Sequence, residues 1–171
     1  LITNAEMGDQ KLRWLVFDDQ RLGLHLVKWL KQEEQDVTIV RIGDQFEVSE
    51  LGDQITISHT QAEYDALIRN LHERDKLPHR IVHLWNVTSQ RQGQTEGDAF
   101  ADAQRTGFHS LLFLAHALKE QQMTAPVQLS LVSNSIQEVV GDEVLRPEKA
   151  TVLAAGRIIE QEYPGLICRN I

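Results

Sequence analysis

Two aspartates, Asp18 and Asp19, directly follow the apolar run Trp14-Leu15-Val16-Phe17. Carboxylates at the C-terminal end of a strand stand where open α/β sheets place their ligands, and there they could hold Mg²⁺ or move a proton. Neighbouring residues of an extended chain point in opposite directions, so these two do not converge on one atom. A solvated turn or a helix N-cap is the better reading. The same turn carries a single glycine, Gly23. A pyrophosphate cradle depends on backbone N–H groups approaching the phosphates at a helix N-terminus, which several glycines allow and two carboxylates oppose. The stretch has the frame of a nucleotide-binding unit without its phosphate chemistry.

A second candidate is the run Val132-Ser133-Asn134-Ser135, with Lys149 downstream. Carbonyl reduction of the short-chain reductase kind needs a tyrosine that donates a proton and a lysine four residues on that lowers its pKa. After Ser133 and Ser135 the first tyrosine is Tyr163, and no Tyr-x-x-x-Lys occurs in the chain. Ser133, Ser135 and Lys149 therefore do not assemble that reaction. His109 and His116 share a helix face two turns apart, and packing or solvation accounts for them better than ligation. His83, inside an apolar run, reads as a hydrogen-bonded core residue. The lone Cys168 cannot support a structural zinc and falls in an expected strand. Trp14, Trp29 and Trp85 occupy apolar positions and read as core. No residue is assigned a catalytic, cofactor-binding or metal-ligating role.

The elements that would position these groups follow from periodicity. Residues 13–19 make a short buried strand, and Leu22, Leu26, Trp29 and Leu30 then recur at helical spacing. A β-branched strand covers 36–42, and 46–48 can pair with 55–58 at a sheet edge. Thr60-Gln61-Ala62-Glu63 has the form of a capping box and opens a helix to about residue 74. Residues 80–85 form the next strand, and 89–97 a polar loop. A long helix is expected from about 98 to 122, a strand at 127–133, and a helix from Pro147 to about 161. A last strand runs from Leu166 to Ile171. Strands alternating with helices of this length predict a Rossmann-like parallel sheet flanked by helices, truncated and without a nucleotide site. Residues 1–12 read as an N-terminal extension or linker, and 13–171 as one domain.

The bulk properties fit that architecture. The 171 residues carry a formal charge of −8, with 42% hydrophobic and 25% charged residues, and the mean hydropathy is −0.31. This acidic balance argues against a nucleic-acid surface and against an anionic membrane surface. No apolar run approaches the roughly 20 residues of a membrane helix. The polar first ten residues lack the pattern of a signal peptide. A single cysteine fits a reducing, cytoplasmic setting. A chain that starts without Met and ends in a strand is expected to be a piece of something larger.

Several stretches together carry a resemblance. Trp14-Leu15-Val16-Phe17-Asp18-Asp19, Arg80-Ile81-Val82-His83-Leu84-Trp85 and Gly107-Phe108-His109-Ser110-Leu111-Leu112-Phe113-Leu114-Ala115 are the first three. The most specific are Gly141-Asp142-Glu143, Pro147-Glu148-Lys149-Ala150-Thr151-Val152-Leu153 and Arg157-Ile158-Ile159-Glu160-Gln161-Glu162-Tyr163-Pro164-Gly165-Leu166. Over nearly its whole length the chain resembles the N-terminal structural subdomain of modular type I polyketide synthase ketoreductases. One departure is Ala154-Ala155-Gly156, where that family often has Gly-Pro-Cys. The resemblance implies a non-catalytic support for a second subdomain, which binds NADPH and reduces a β-ketoacyl group on an acyl carrier protein. It implies as partners that catalytic subdomain and neighbouring synthase domains, with the acyl carrier protein met indirectly. The helices at 98–122 and 147–163 would then dock the catalytic subdomain, with Phe108, Leu112 and Leu153 on the interface. Two alternatives stay open: a pseudo-ketoreductase scaffold for an embedded methyltransferase or dehydratase, and a free-standing reductase with an atypical cofactor site.

Overall fold

The computed structural model describes residues 11–19, 22–88, 93, 95–121, 125–138, 141 and 144–171. Most of the 1–12 extension, most of the 89–97 loop, and Asp142 and Glu143 lie outside the described residues.

Seven strands make one sheet: β1 (Arg13–Phe17), β2 (Asp36–Ile42), β3 (Glu47–Val48), β4 (Gln54–Ile57), β5 (Arg80–Asn86), β6 (Val127–Ser133) and β7 (Leu166–Asn170). Their spatial order is β3-β4-β2-β1-β5-β6-β7. Every pairing is parallel except the β3–β4 edge hairpin, where Glu47 faces Thr56 and Val48 faces Ile55. This is the expected Rossmann-like sheet, and the expected edge pairing is the hairpin. β1 lies in the middle, with β2 and β5 on its two sides. The chain order reverses across the β1–β5 pair, so a crevice opens at their C-terminal ends.

Successive residues of β1 serve opposite faces of the sheet. Leu15 and Phe17 join a core of twenty-three buried residues under α2 (Gln61–Glu73), α4 (Ser110–Glu120) and α5 (Thr151–Glu162). Trp14 and Val16 join a smaller cluster of seven beneath α1 (Leu24–Gln32). Being buried on both sides, β1 reads as a continuous apolar run rather than an alternating one.

Three local details depart from the sequence reading. Thr60 caps α2 by position but makes no side-chain cap bond; the Glu63 carboxylate instead accepts from the Ser58 backbone N–H. The long helix expected at 98–122 is α3 (Glu96–Ala103) and α4 joined by a π-helical turn, Gln104–His109. Gly107 sits in that turn, where a Cβ would come within 2.7 Å of the Val152 side chain and 3.2 Å of Asn86 Oδ1. Only glycine lets the turn press this closely on α5 and the end of β5, and apolar spacing carries no signal for the extra residue. The helix expected from Pro147 opens as a 3₁₀ turn, Pro147–Lys149, before α5 begins.

Beneath α4 lies a buried polar relay. The Tyr64 hydroxyl donates to Ser110 Oγ at 2.7 Å, and Ser110 Oγ is 2.8 Å from His83 Nε2. His83 is 2% exposed and stacks on Phe17 at 5.2 Å between ring centroids. It is the hydrogen-bonded core histidine expected from its apolar strand. With Ser110 fully buried, no substrate reaches this serine–histidine pair. Burial pushes the His83 pKa down from 6.5 to about 3, with His59 adding to the shift. The unfolded chain thus binds one proton more than the folded chain between these two values, and folding stability falls as the pH drops through that window. Urea unfolding near pH 4.5 is expected to give about 2–3 kcal/mol less stability than near pH 6.5 from this residue, at about 1.4 kcal/mol per pH unit. His83→Gln is expected to flatten that part of the pH profile.

Candidate functional site

The crevice at the strand C-termini is a cleft of about 420 Å³. Asp19 follows β1; Ile42 ends β2 and Gly43 follows it; Ser58 and His59 follow β4; and Trp85 and Asn86 close β5. The helical wall is Ala99, Asp102, Ala103, Arg105 and Thr106, and Arg146 and Lys149 complete the lining beyond β6. This is where an open α/β sheet binds its ligand.

Asp18 is the first departure from expectation. It is 1% exposed and so is no solvated turn residue, and the N-cap of α1 is Gly23. A Cβ on Gly23 would lie 3.2 Å from Asp18 Cβ and Cγ, so the carboxyl group rests against the start of α1. Arg41 Nη1 reaches Asp18 Oδ2 at 3.2 Å and also the Asp18 carbonyl oxygen. The pair is almost enclosed, with side-chain exposures of 18% for Arg41 and 2% for Asp18. The carboxylate lies beside the helix start without capping it: α1 has no side-chain cap bond, and Asp18 Oδ1 is buried without a hydrogen-bond partner. Asp19 is exposed and lines the cleft. Sequence reasoning missed Arg41, although a lone charge ending an apolar β-branched strand was the available signal.

The remaining cleft side chains divide into bonded and unbonded sets. Arg146 bonds Glu148 Oε1 at 2.8 Å and Thr88 Oγ1 at 3.0 Å. Lys149, 1% exposed, donates to Asn134 Oδ1 at 2.6 Å, and the Asn134 amide in turn bonds both backbone groups of Thr88. Burial pushes the Lys149 pKa down to about 8; Arg146 lowers it further, while Glu148 opposes. Facing them, both ring nitrogens of His59, the Trp85 indole N–H and both amide atoms of Asn86 are shielded without a hydrogen-bond partner. Burial, then Arg105, takes the His59 pKa to about 4 despite Asp19 and Asp102, so the ring is neutral.

Other singled-out residues lie apart. Tyr163 is at the far end of α5 under Lys119, 5.4 Å from its ring centroid. Cys168 is half-buried in β7, and burial followed by Glu160 raises its thiol pKa to about 11, the opposite of nucleophile activation. His109 and His116 are exposed; His109 stacks on Phe113 and His116 is 4.0 Å from Asp65. Phe108, in the π-helical turn, and Leu112, in α4, are one turn apart, and Leu153 is on α5, which packs alongside both elements. All three are half-buried. Among the described residues no helix is long and apolar enough to cross a membrane.

A family model described as beta-ketoacyl synthase-like, N-terminal, matches residues 13–171. The chain belongs to that family. Among solved structures, this N-terminal unit is similar to the adenylation, ketoreductase and pseudo-Asub multidomain structure of a keto acid-selecting NRPS module. That match has 27% identity and a TM-score of 0.80, over 94% of this chain and 13% of the other. It is also similar to an N-terminal ketoreductase from the macrolactin assembly line, at 16% identity and TM-score 0.69, over 96% of this chain and 32% of that one. A Serratia marcescens short-chain dehydrogenase/reductase shares the fold at 14% identity and TM-score 0.63, over 92% and 75%. No curated protein matches the sequence. The ketoreductase-type N-terminal subdomain implied by the resemblance is borne out, and the chain spans a small part of the first two structures.

The Asp18–Arg41 pair has a measurable signature. Arg41→Met leaves an uncompensated buried carboxylate and is expected to cost about 3 kcal/mol in urea unfolding. The double variant Asp18→Asn/Arg41→Met is expected to regain most of that loss.

Proposed function

We propose that this subdomain is a non-catalytic support. It holds in place a catalytic subdomain that carries out NADPH-dependent reduction of β-ketoacyl groups on an acyl carrier protein. The observation that carries the reading is the Asp18 carboxylate against the start of α1, neutralised from within by Arg41. A dinucleotide would set its pyrophosphate at that helix end, beside a carboxylate that has no room to leave. The cleft lining supports the same reading, since among its described residues there is no tyrosine to donate a proton.

A support needs a surface for its partner. Phe108, Leu112 and Leu153 present half-covered apolar side chains along adjacent helices, with Ile158 of α5 41% exposed nearby in sequence. Apolar groups left partly open on neighbouring helices fit a subdomain interface. Neighbouring synthase domains of the same polypeptide are the partners in this reading.

Titrating NADPH against the folded chain while following tryptophan emission is expected to show no saturable binding. Mixing the chain with the catalytic subdomain of the same polypeptide is expected to give a complex. Leu112→Asp/Leu153→Asp is expected to weaken that complex at least tenfold, as a loss of more than about 1.4 kcal/mol would, with little change in thermal midpoint. Tight NADPH binding, or association indifferent to both substitutions, would overturn the proposal.

A further inference from the structure

The strands of a parallel sheet are apolar on both sides and call for helices over both. Here α2, α4 and α5 stand over one face, and α1 alone stands over the other. The cluster beneath α1 takes in β1, β2 and part of β5, only the half-buried Val132 from β6, and nothing from β7. Alternation along the strands fixes what lies on the rest of that face. Val127, Leu129 and Leu131 of β6, with Leu166 and Cys168 of β7, face the larger core. Gln128, Ser130, Ile167 and Arg169 therefore face away from it. Val82 belongs to the α1 cluster, which puts Arg80 on the same side.

The ladder brings these side chains together. Arg80 stands opposite Gln128, and Gln128 opposite Ile167; two residues on, Val82 stands opposite Ser130, and Ser130 opposite Arg169. Val82 and Ser130 form a shielded floor, while Arg80 and Gln128 are half-buried and Ile167 and Arg169 exposed. Three strands at their usual spacing make a strip about 10 Å across, the diameter of one helix.

The strip is also cationic. β5, β6 and β7 hold two arginines and no aspartate or glutamate, in a chain whose formal charge is −8. Among the described residues no carboxylate pairs with Arg80. Arg169 has contacts of its own within the chain, so Arg80 is the group that reads a partner's charge.

We propose that this strip is a docking face for an amphipathic helix of a partner, one that carries carboxylates beside its apolar stripe. The stripe lies on Ile167 and the Val82–Ser130 floor, and a carboxylate pairs with Arg80. A helix flanked by lysines meets two guanidinium groups there and is rejected. A second copy of this chain, laid strip to strip, sets arginine against arginine. The strip is on the opposite side of the sheet from α4 and α5, so its failure leaves the support role standing.

The probes are three capped peptides of about 14 residues, four turns of helix, with one leucine stripe flanked by Glu, by Gln or by Lys. They are added to the full chain with isotopically labelled isoleucine methyls and arginine side chains. The Glu peptide is expected to shift the Ile167 methyl and Arg80 Nε–H resonances saturably, at least tenfold more tightly than the Lys peptide, with the Gln peptide between. Arg80→Glu is expected to reverse that order and Arg80→Gln to narrow it, neither of which unfolding produces. Ile167→Asp is expected to weaken the Glu peptide at least tenfold. The proposal is overturned if no peptide binds, if the shifts fall on α4 and α5 instead, or if the order of the three survives Arg80→Glu.

Discussion

A parallel sheet must be covered on both faces, because its strands are apolar on both sides and its connections return over them. This molecule meets the requirement unequally. Twenty-three buried residues fill the face under α2, α4 and α5, and seven fill the face under α1. On the thinner face Leu84 and Val132 lean on the small cluster and remain half-buried. Ile167, between two residues turned to the larger core, is 48% exposed. The two faces of the sheet are thus covered unequally, with the thinner cover on the α1 side.

The crevice between β1 and β5 is the other consequence of this topology, because the reversal of strand order creates it whatever the residues are. What differs is the chemistry at its edges. Around β1 a nearly enclosed ion pair, Asp18–Arg41, lies against the start of α1. Around β5 and β6 the Lys149 ammonium bonds the neutral Asn134 and the buried Asn86 amide has no partner.

The sheet was legible in the sequence because its strands are short, apolar and β-branched, and Pro and Gly punctuate them. His83 was legible as core because it interrupts an otherwise apolar run. Asp18 was not: adjacent acids in a turn look solvated, and only the register of β1 beside β2 brings Arg41 across to it. The cleft residues were hidden for the same reason, since His59 follows β4, Asn86 ends β5 and Lys149 ends the 3₁₀ turn before α5, and they meet only through the topology. The π-helical turn left no trace in the hydrophobic spacing, although Gly107 marks the close approach it requires. The resemblance supplied the subdomain identity that periodicity alone could not.

β7 forms the edge of the sheet, paired to β6 on one side only, and carries Ile167 and Cys168 in its five residues. A parallel edge can offer unpaired N–H and C=O groups to an approaching strand, but here the Leu166 N–H donates to the Tyr163 carbonyl and the Cys168 N–H to Glu160 Oε1. No proline or lysine in β7 blunts it, and Arg169 is its one charged side chain. Glu160 thus guards the middle of this edge against strand addition, a task separate from any packing it does on α5.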